Sequence, residues 1–262
     1  MGKSRIQNNN LFGRSMDFLS DTEFAVFCFA QMLPNVCDVR EQYPLNLLEH
    51  PCDISTYLVS KLSKNTKGTL EIANSLGISH PRVKKNGEAV DWVMTTDLLV
   101  TIKDPIAGYQ LLALSVKDKA SDQLSERQIN LLQLEREYWT IQGVNWLLIT
   151  PEVYCKSVAV TLKTYAPYAI SDSMVDKDLI TKAMNLIPLM NEMPLSKILL
   201  LLEDALNVSQ GIAQKVFWQG VWKGVIPINL RRKPTPLSQI NLLSYEDFWL
   251  QNPVVAGRSS CL

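Results

Sequence analysis

Residues 95–118 read TTDLLVTIKDPIAGYQLLALSVKD. Two apolar runs flank a Pro/Gly turn at KDPIAG, which predicts an antiparallel strand pair lying in the core of a sheet. The two charges in it stand at the outer ends. Asp97 is at the head of the first run, and Lys117 closes the second, two residues past Ser115. Strand side chains alternate, so Asp97, Leu99 and Thr101 share a face, as do Leu111, Ala113, Ser115 and Lys117. Pairing across the turn brings Asp97 and Lys117 to the same end of the sheet. A buried aspartate beside a lysine is costly unless the two are paired or hold a metal. They are therefore either an ion pair at the sheet end or part of a site.

The surrounding chain supplies helices and further strands. LSDTEFAVFCFAQMLPNV predicts a helix from about Thr22 to Met32, with Ser20 as N-cap, Glu23 completing a capping-box pattern and Pro34 ending it. VCDVREQYPL reads as a strand and TLEIANSLGI as a short helix, while SHPRVKKNGE reads as a basic loop. SERQINLLQLEREYWTIQG is a long amphipathic helix with Ile129, Leu132, Arg136 and Trp139 in its register and Gly143 as its expected C-cap. Its acids Glu126, Glu135 and Glu137 are expected to pair with Arg127 and Arg136 on the surface. VNWLLIT is a buried strand, and PEVYCKSVAVTLKTY a helix with Pro in its first turn. Helix, strand, helix, two strands, helix, strand, helix is an α/β order with a mixed sheet, not a βαβ repeat. Beyond Ile170 the chain turns mainly helical, then offers a short strand, VIPINL, and a basic tip, RRKP. That succession is winged-helix-like. Two domains are expected, 1–168 and 169–262.

Composition narrows the function. The 262 residues carry no net charge. A strong DNA binder acting alone is usually basic, so any work on nucleic acid is expected through local patches or partners. Five cysteines, at 28, 37, 52, 155 and 261, include no CxxC pair, which points to free thiols in a reducing compartment. The N-terminal stretch lacks the apolar core of a signal peptide, and no apolar run approaches membrane-spanning length. A cytoplasmic, prokaryotic location without membrane contact is the expectation.

Glu23 in the first turn of a helix, Asp97 on a strand and an x-Lys pattern on the next strand are the parts of a metal-dependent nuclease site. Two carboxylates suit Mg²⁺, a hard cation that takes oxygen ligands, with Mn²⁺ as a substitute, and the Val116 carbonyl offers another oxygen. Lys117 can orient a water or stabilise developing charge.

The blocks LSDTE, DVREQYPL, VMTTDLLV, SVKD and LEREYW, in this order over residues 18–165, resemble the TnsA family. Its members are endonuclease subunits of heteromeric cut-and-paste transposases, with a restriction-endonuclease-like catalytic domain. The C-terminal region is similar in kind to the family's helical, winged-helix-like domain. The resemblance implies catalytic roles for Glu23, Asp97 and Lys117, with Glu23, Asp97 and the Val116 carbonyl on the metal. Where the family's third motif often begins with Gln or an acid, this chain has Ser115, a poorer ligand. The implied activity is Mg²⁺-dependent cleavage of the 5′ ends of a transposon, on the non-transferred strands. Its implied partners are double-stranded DNA at the transposon ends, a DDE transposase (TnsB) and an AAA+ ATPase (TnsC).

Two rival readings stay open. One is a stand-alone restriction or repair nuclease of the same fold, which would cut DNA without partners. The other is a non-catalytic assembly module, to which Ser115 lends standing. Arg82, Lys84 and Lys85, just before the aspartate strand, and Arg231, Arg232 and Lys233 are candidates for DNA contact or else solvated charge. His80 is expected to be solvent-exposed, His50 has little context, and Glu41 and Asp91 read as structural acids. Trp218 and Trp222 read as core of the second domain.

Overall fold

The structure is a computed structural model that describes residues 5–7, 14–57, 64–170 and 174–262. In chain order its elements are β1 (Arg5–Gln7), β2 (Met16–Phe18), α1 (Asp21–Gln31), β3 (Val36–Pro44), β4 (His50–Pro51), β5 (Asn65–Thr66), α2 (Thr69–Ser75), β6 (Arg82–Lys85), β7 (Glu88–Asp91), β8 (Thr95–Asp104), β9 (Gly108–Val116), α3 (Glu126–Thr140), β10 (Asn145–Ile149), α4 (Lys156–Ala169), α5 (Lys177–Met184), α6 (Ile187–Met190), α7 (Leu195–Leu206), α8 (Gln210–Trp222) and α9 (Tyr245–Trp249). The chain forms two compact units, each from separated segments. One comprises Met1–Pro34 with Pro151–Arg258, and the other Asn35–Thr150 with Ser259–Leu262. The boundary expected between 168 and 169 falls inside the first of these.

The second unit holds a four-stranded mixed sheet of order β10-β9-β8-β3, in which only β10 runs parallel to its neighbour. The apolar runs that flank KDPIAG become its central strands. Leu98, Leu99, Val100, Ala113 and Leu114 are completely buried, as strands covered on both faces require. Leu99, Leu111 and Ala113 pack with Leu134, Tyr138 and Trp139 of α3 and with Ile72 of α2 in one apolar cluster. The capping box that opens α3 is formed by Ser125 and Gln128. The buried face of α3 is Leu132, Leu134, Glu135, Tyr138 and Trp139. It is rotated from the register expected on Arg136, which is exposed. The tail closes the free edge of β10: Ser260 N–H donates to Leu148 O at 2.9 Å and Leu148 N–H to Ser259 Oγ at 2.9 Å.

The stretch expected to be a basic loop is a two-stranded hairpin, β6 paired with β7. Its turn is Asn86-Gly87, both with positive φ (52° and 87°), the conformation that a two-residue hairpin loop requires and that Asn-Gly favours.

The first unit is helical. Within it α1 packs on α4, and α8 packs against α4, α5 and α7. Trp218 and Trp222 are buried core, as expected, and Trp218 stacks on Tyr165 with centroids 3.8 Å apart. Helix α4 starts at Lys156 with Cys155 as its N-cap, five residues later than PEVY suggested. The strand expected at VIPINL shrinks to a single bridge, Ile228↔Leu242. Pro227 has no N–H for a ladder, and the Ile228 N–H is spent locally on Ile226 O. The described cysteines form no disulfide. Among the described residues, no helix is long and apolar enough to cross a membrane.

Candidate active site

The pairing of β8 with β9 runs from Asp104↔Gly108 to Leu98↔Leu114 and stops there. One residue on, the Asp97 carboxylate takes over the ladder's role. Its Oδ2 accepts from Val116 N–H at 2.7 Å. Lys117 Nζ lies 3.4 Å from the same oxygen and donates to Val116 O at 2.9 Å. The Lys117 N–H donates to Ile149 O at 3.1 Å, fixing the lysine backbone to β10. The structure thus brings Asp97 and Lys117 together at the sheet end, as their spacing suggested. Both side chains keep some solvent contact, 16% and 29%, so their ion pair alone contributes little to stability.

A third residue reaches Asp97 from β3. Gln42 has φ 46° and sits between the pairs Glu41↔Leu98 and Tyr43↔Thr96. Its amide Nε2 donates to Asp97 Oδ1 at 3.4 Å, while its Oε1 accepts from Thr95 Oγ1 at 3.0 Å. Sequence reasoning passed over Gln42, since nothing in an alternating strand announces a left-handed residue.

Glu135 corrects an expectation outright. It is not a surface partner of Arg127 or Arg136; it is 4% exposed on the sheet-facing side of α3. Its Oε1 accepts from Ser115 Oγ at 2.5 Å and from Thr96 Oγ1 at 2.8 Å. Thr96 in turn accepts from Trp139 Nε1 at 2.7 Å. Burial, and then repulsion from Asp97, push the Glu135 carboxyl up to about 7, against the pull of the Ser115 hydroxyl, Lys117 and Thr96. The signal was present in the spacing. Leu131, Glu135, Tyr138 and Trp139 make a helical stripe with one acid in it. Ser115, the departure from the family's third motif, is fully buried and is the donor to this acid.

Glu23 lies in the other unit, in the first turn of α1, and is 8% exposed. Its N–H donates to Ser20 Oγ at 3.1 Å, as the cap predicted. Its carboxylate Oε2 accepts from Leu19 N–H at 2.9 Å, one residue before the position a capping box would use.

The remaining candidates divide. Lys84 and Lys85 are exposed on the hairpin, whereas Arg82 is tied to Ala89 O at 2.7 Å and to Asp91 at 3.4 Å. Arg231, Arg232 and Lys233 are exposed beyond the Ile228 bridge. His80 is not solvent-exposed as expected: only 7% of its side chain is accessible, and Nε2 meets Thr69 Oγ1 at 3.0 Å. His50 enters a buried polar cluster with Tyr138, at 2.9 Å, and Asp53. Asp53 also accepts from Tyr43, Tyr138 and Gln142. These bonds anchor the segment after β3 to α3.

Among the described residues, no three His, Cys, Asp or Glu side chains gather into a metal-holding group. The oxygens at the strand end still suit a hard cation. Asp97 Oδ2 and Val116 O both face one positive charge, the Lys117 ammonium, at 3.4 and 2.9 Å. A carboxylate and a backbone carbonyl already converging on a cation fit the donor chemistry of Mg²⁺ or Mn²⁺.

Residues 33–151 match the family model described as TnsA-like endonuclease N terminal. The chain is also 35% identical over 149 residues to the Transposon Tn7 transposition protein TnsA of Escherichia coli; the match covers 57% of this chain and 45% of that protein. It therefore spans a little under half the length of that relative. Asp97, Ser115, Lys117 and Glu135 fall inside the matched family segment, and Glu23 precedes it.

Proposed function

We propose that this chain, whose residues 33–151 match the TnsA-like endonuclease N-terminal model, is the DNA-cutting subunit of a cut-and-paste transposase. It cleaves the 5′ ends of the element, on the non-transferred strands, while a DDE transposase (TnsB) handles the 3′ ends and an AAA+ ATPase (TnsC) regulates both. The observation that carries this reading is the strand-end arrangement of Asp97, Val116 O and Lys117.

Asp97 and the Val116 carbonyl would hold the divalent cation, and Glu23 is assigned to it by the family motif. The bound metal would supply a clamp on the scissile phosphate and a water acidified for attack. Lys117, a compact charge held at its backbone by β10, orients that water or offsets charge developing on the phosphate. Gln42 keeps the Asp97 carboxylate aimed by donating to its Oδ1. The exposed hairpin lysines Lys84 and Lys85, with Arg82, contact phosphates and set the register of the duplex. Arg231, Arg232 and Lys233 do the same from the helical unit. Net charge of zero suits a subunit whose partners supply sequence-specific binding.

The test compares the purified chain alone with the chain plus its transposase partners on DNA bearing transposon ends, with Mg²⁺ or with chelator. The expected result is 5′-strand cleavage only with partners and metal. Robust cutting by the chain alone would favour the stand-alone nuclease instead.

A further inference from the structure

The β6–β7 hairpin stands clear of the core of its unit. Every residue from 82 to 90 is exposed, so both of its faces meet solvent, and an isolated two-stranded hairpin is marginally stable at best in water. This one is held at its root. His80 Nε2 meets Thr69 Oγ1 of α2 at 3.0 Å, and Arg127 Nη1 of α3 donates to Ser79 O at 2.6 Å. Trp92 N–H donates to Pro81 O at 2.8 Å, which carries the ladder one pair beyond Arg82↔Asp91. The two faces differ. Val83 lies opposite Val90, and strand alternation puts Trp92 on their face. All three are exposed, Trp92 by 51%, so the face carries an open apolar stripe. On the other face Arg82 pairs with Asp91. With that acid answered, Lys84 and Lys85 outnumber Glu88 toward the turn.

The hairpin leads directly into β8, at the end of the sheet that bears Asp97 and Lys117. Trp92 precedes Asp97 by five residues, at most about 18 Å of chain, or roughly five base pairs of a duplex. A duplex cut at Asp97 therefore lies within reach of this ribbon. A two-stranded ribbon fits the major groove, about 12 Å wide, and is too broad for the minor groove at about 6 Å. We propose that β6–β7 is a preformed ribbon that enters the major groove of the DNA beside the cut. The Val83–Val90–Trp92 stripe packs on base edges, and Lys84 and Lys85 meet the phosphates at the groove's rim. The root contacts order the ribbon before DNA arrives, so binding loses little freedom in it. The stripe also gives the chain a hold on DNA that added salt does not screen, unlike its lysines.

This inference rests on the reading of DNA as the substrate, and its test does not depend on cleavage. Among the described residues Trp92 is the one exposed tryptophan, so acrylamide quenching of intrinsic fluorescence in the full chain reports mainly on it. Saturation with a random-sequence duplex should lower that quenching, and Trp92→Phe should abolish the DNA-dependent change. Affinity for the same duplex is read by fluorescence anisotropy across a salt series. Trp92→Ala should weaken it roughly tenfold, by loss of the aromatic surface buried on DNA. The slope of log affinity against log salt should stay as in the parent, since no phosphate contact is lost. An exposed side chain is replaced, so both variants should keep the parent's circular dichroism and thermal midpoint. Unchanged affinity in Trp92→Ala, equal quenching with and without DNA, or no binding of the parent at low salt would overturn the proposal. Unchanged affinity beside normal cleavage with partners would remove the ribbon and leave the cutting role standing. Shielding and weakened binding without any cleavage would do the reverse. If Trp92→Ala keeps its DNA affinity but no longer assembles with the proposed transposase, the stripe is a protein contact and the proposal falls.

Discussion

In metal-free buffer, Glu135 makes stability depend on pH in a way that one substitution can expose. Its carboxyl is raised from an ordinary 4.5 to about 7, first by burial and then by Asp97. The folded state therefore holds the proton more tightly than the unfolded chain. The stabilisation is complete below about 4.5 and is lost as pH rises through about 7. A shift of that size corresponds to roughly 3 kcal/mol at full ionisation, at about 1.4 kcal/mol per pH unit. Glu135→Gln cannot ionise, yet it still accepts from Ser115 and Thr96. Urea unfolding of both proteins at pH 5 and pH 8, with chelator present, isolates the term, because other titrating groups cancel in the difference. The variant should match the parent within about 1 kcal/mol at pH 5 and exceed it by roughly 3 kcal/mol at pH 8. A difference that does not change with pH would refute the buried, proton-holding environment assigned to Glu135.

Three further outcomes follow from individual contacts. Trp139→Phe removes the donor to Thr96 Oγ1 and should lower the unfolding free energy by about 1–3 kcal/mol in the same urea assay. Gly68→Ala would place a Cβ 2.3 Å from Leu47 O and 2.4 Å from Leu47 C, both backbone, so its thermal midpoint should fall by several degrees, at about 2–4 °C per kcal/mol lost. Lys84→Ala with Lys85→Ala should weaken binding to duplex DNA without sequence preference and reduce the slope of log affinity against log salt by about two, which a salt titration of fluorescence anisotropy measures.

How much of this was written in the sequence depends on the range of the interactions. The central strands, the capped helix α1, the helix α3 and the meeting of Asp97 with Lys117 follow from local period and turn chemistry, and all are present; the Ser125 cap of α3 was not read from the sequence. The β6–β7 hairpin was equally local, and its Asn-Gly turn was the signal that a reading based on charge overlooked. Glu135 was hidden for a different reason. A glutamate between arginines on a helix looks solvated until the phase of the helix is known, and that phase is set by the packing of Tyr138 and Trp139 against β8 and β9. Gln42 needed the left-handed backbone at its own position. The segmentation of the two units, with residues 1–34 grouped with 151–258, comes from long-range packing of α1 on α4 that no local pattern encodes.

Asp97 is the carboxylate on which the proposed cutting site depends. The most direct measurement is strand-specific cleavage at transposon ends in a reaction reconstituted with the proposed transposase and regulator partners, using Asp97→Ala and Lys117→Ala in place of the parent chain. Loss of 5′-strand cleavage in both variants, with assembly on the DNA retained, is the predicted result. Undiminished 5′-strand cleavage by Asp97→Ala would contradict it.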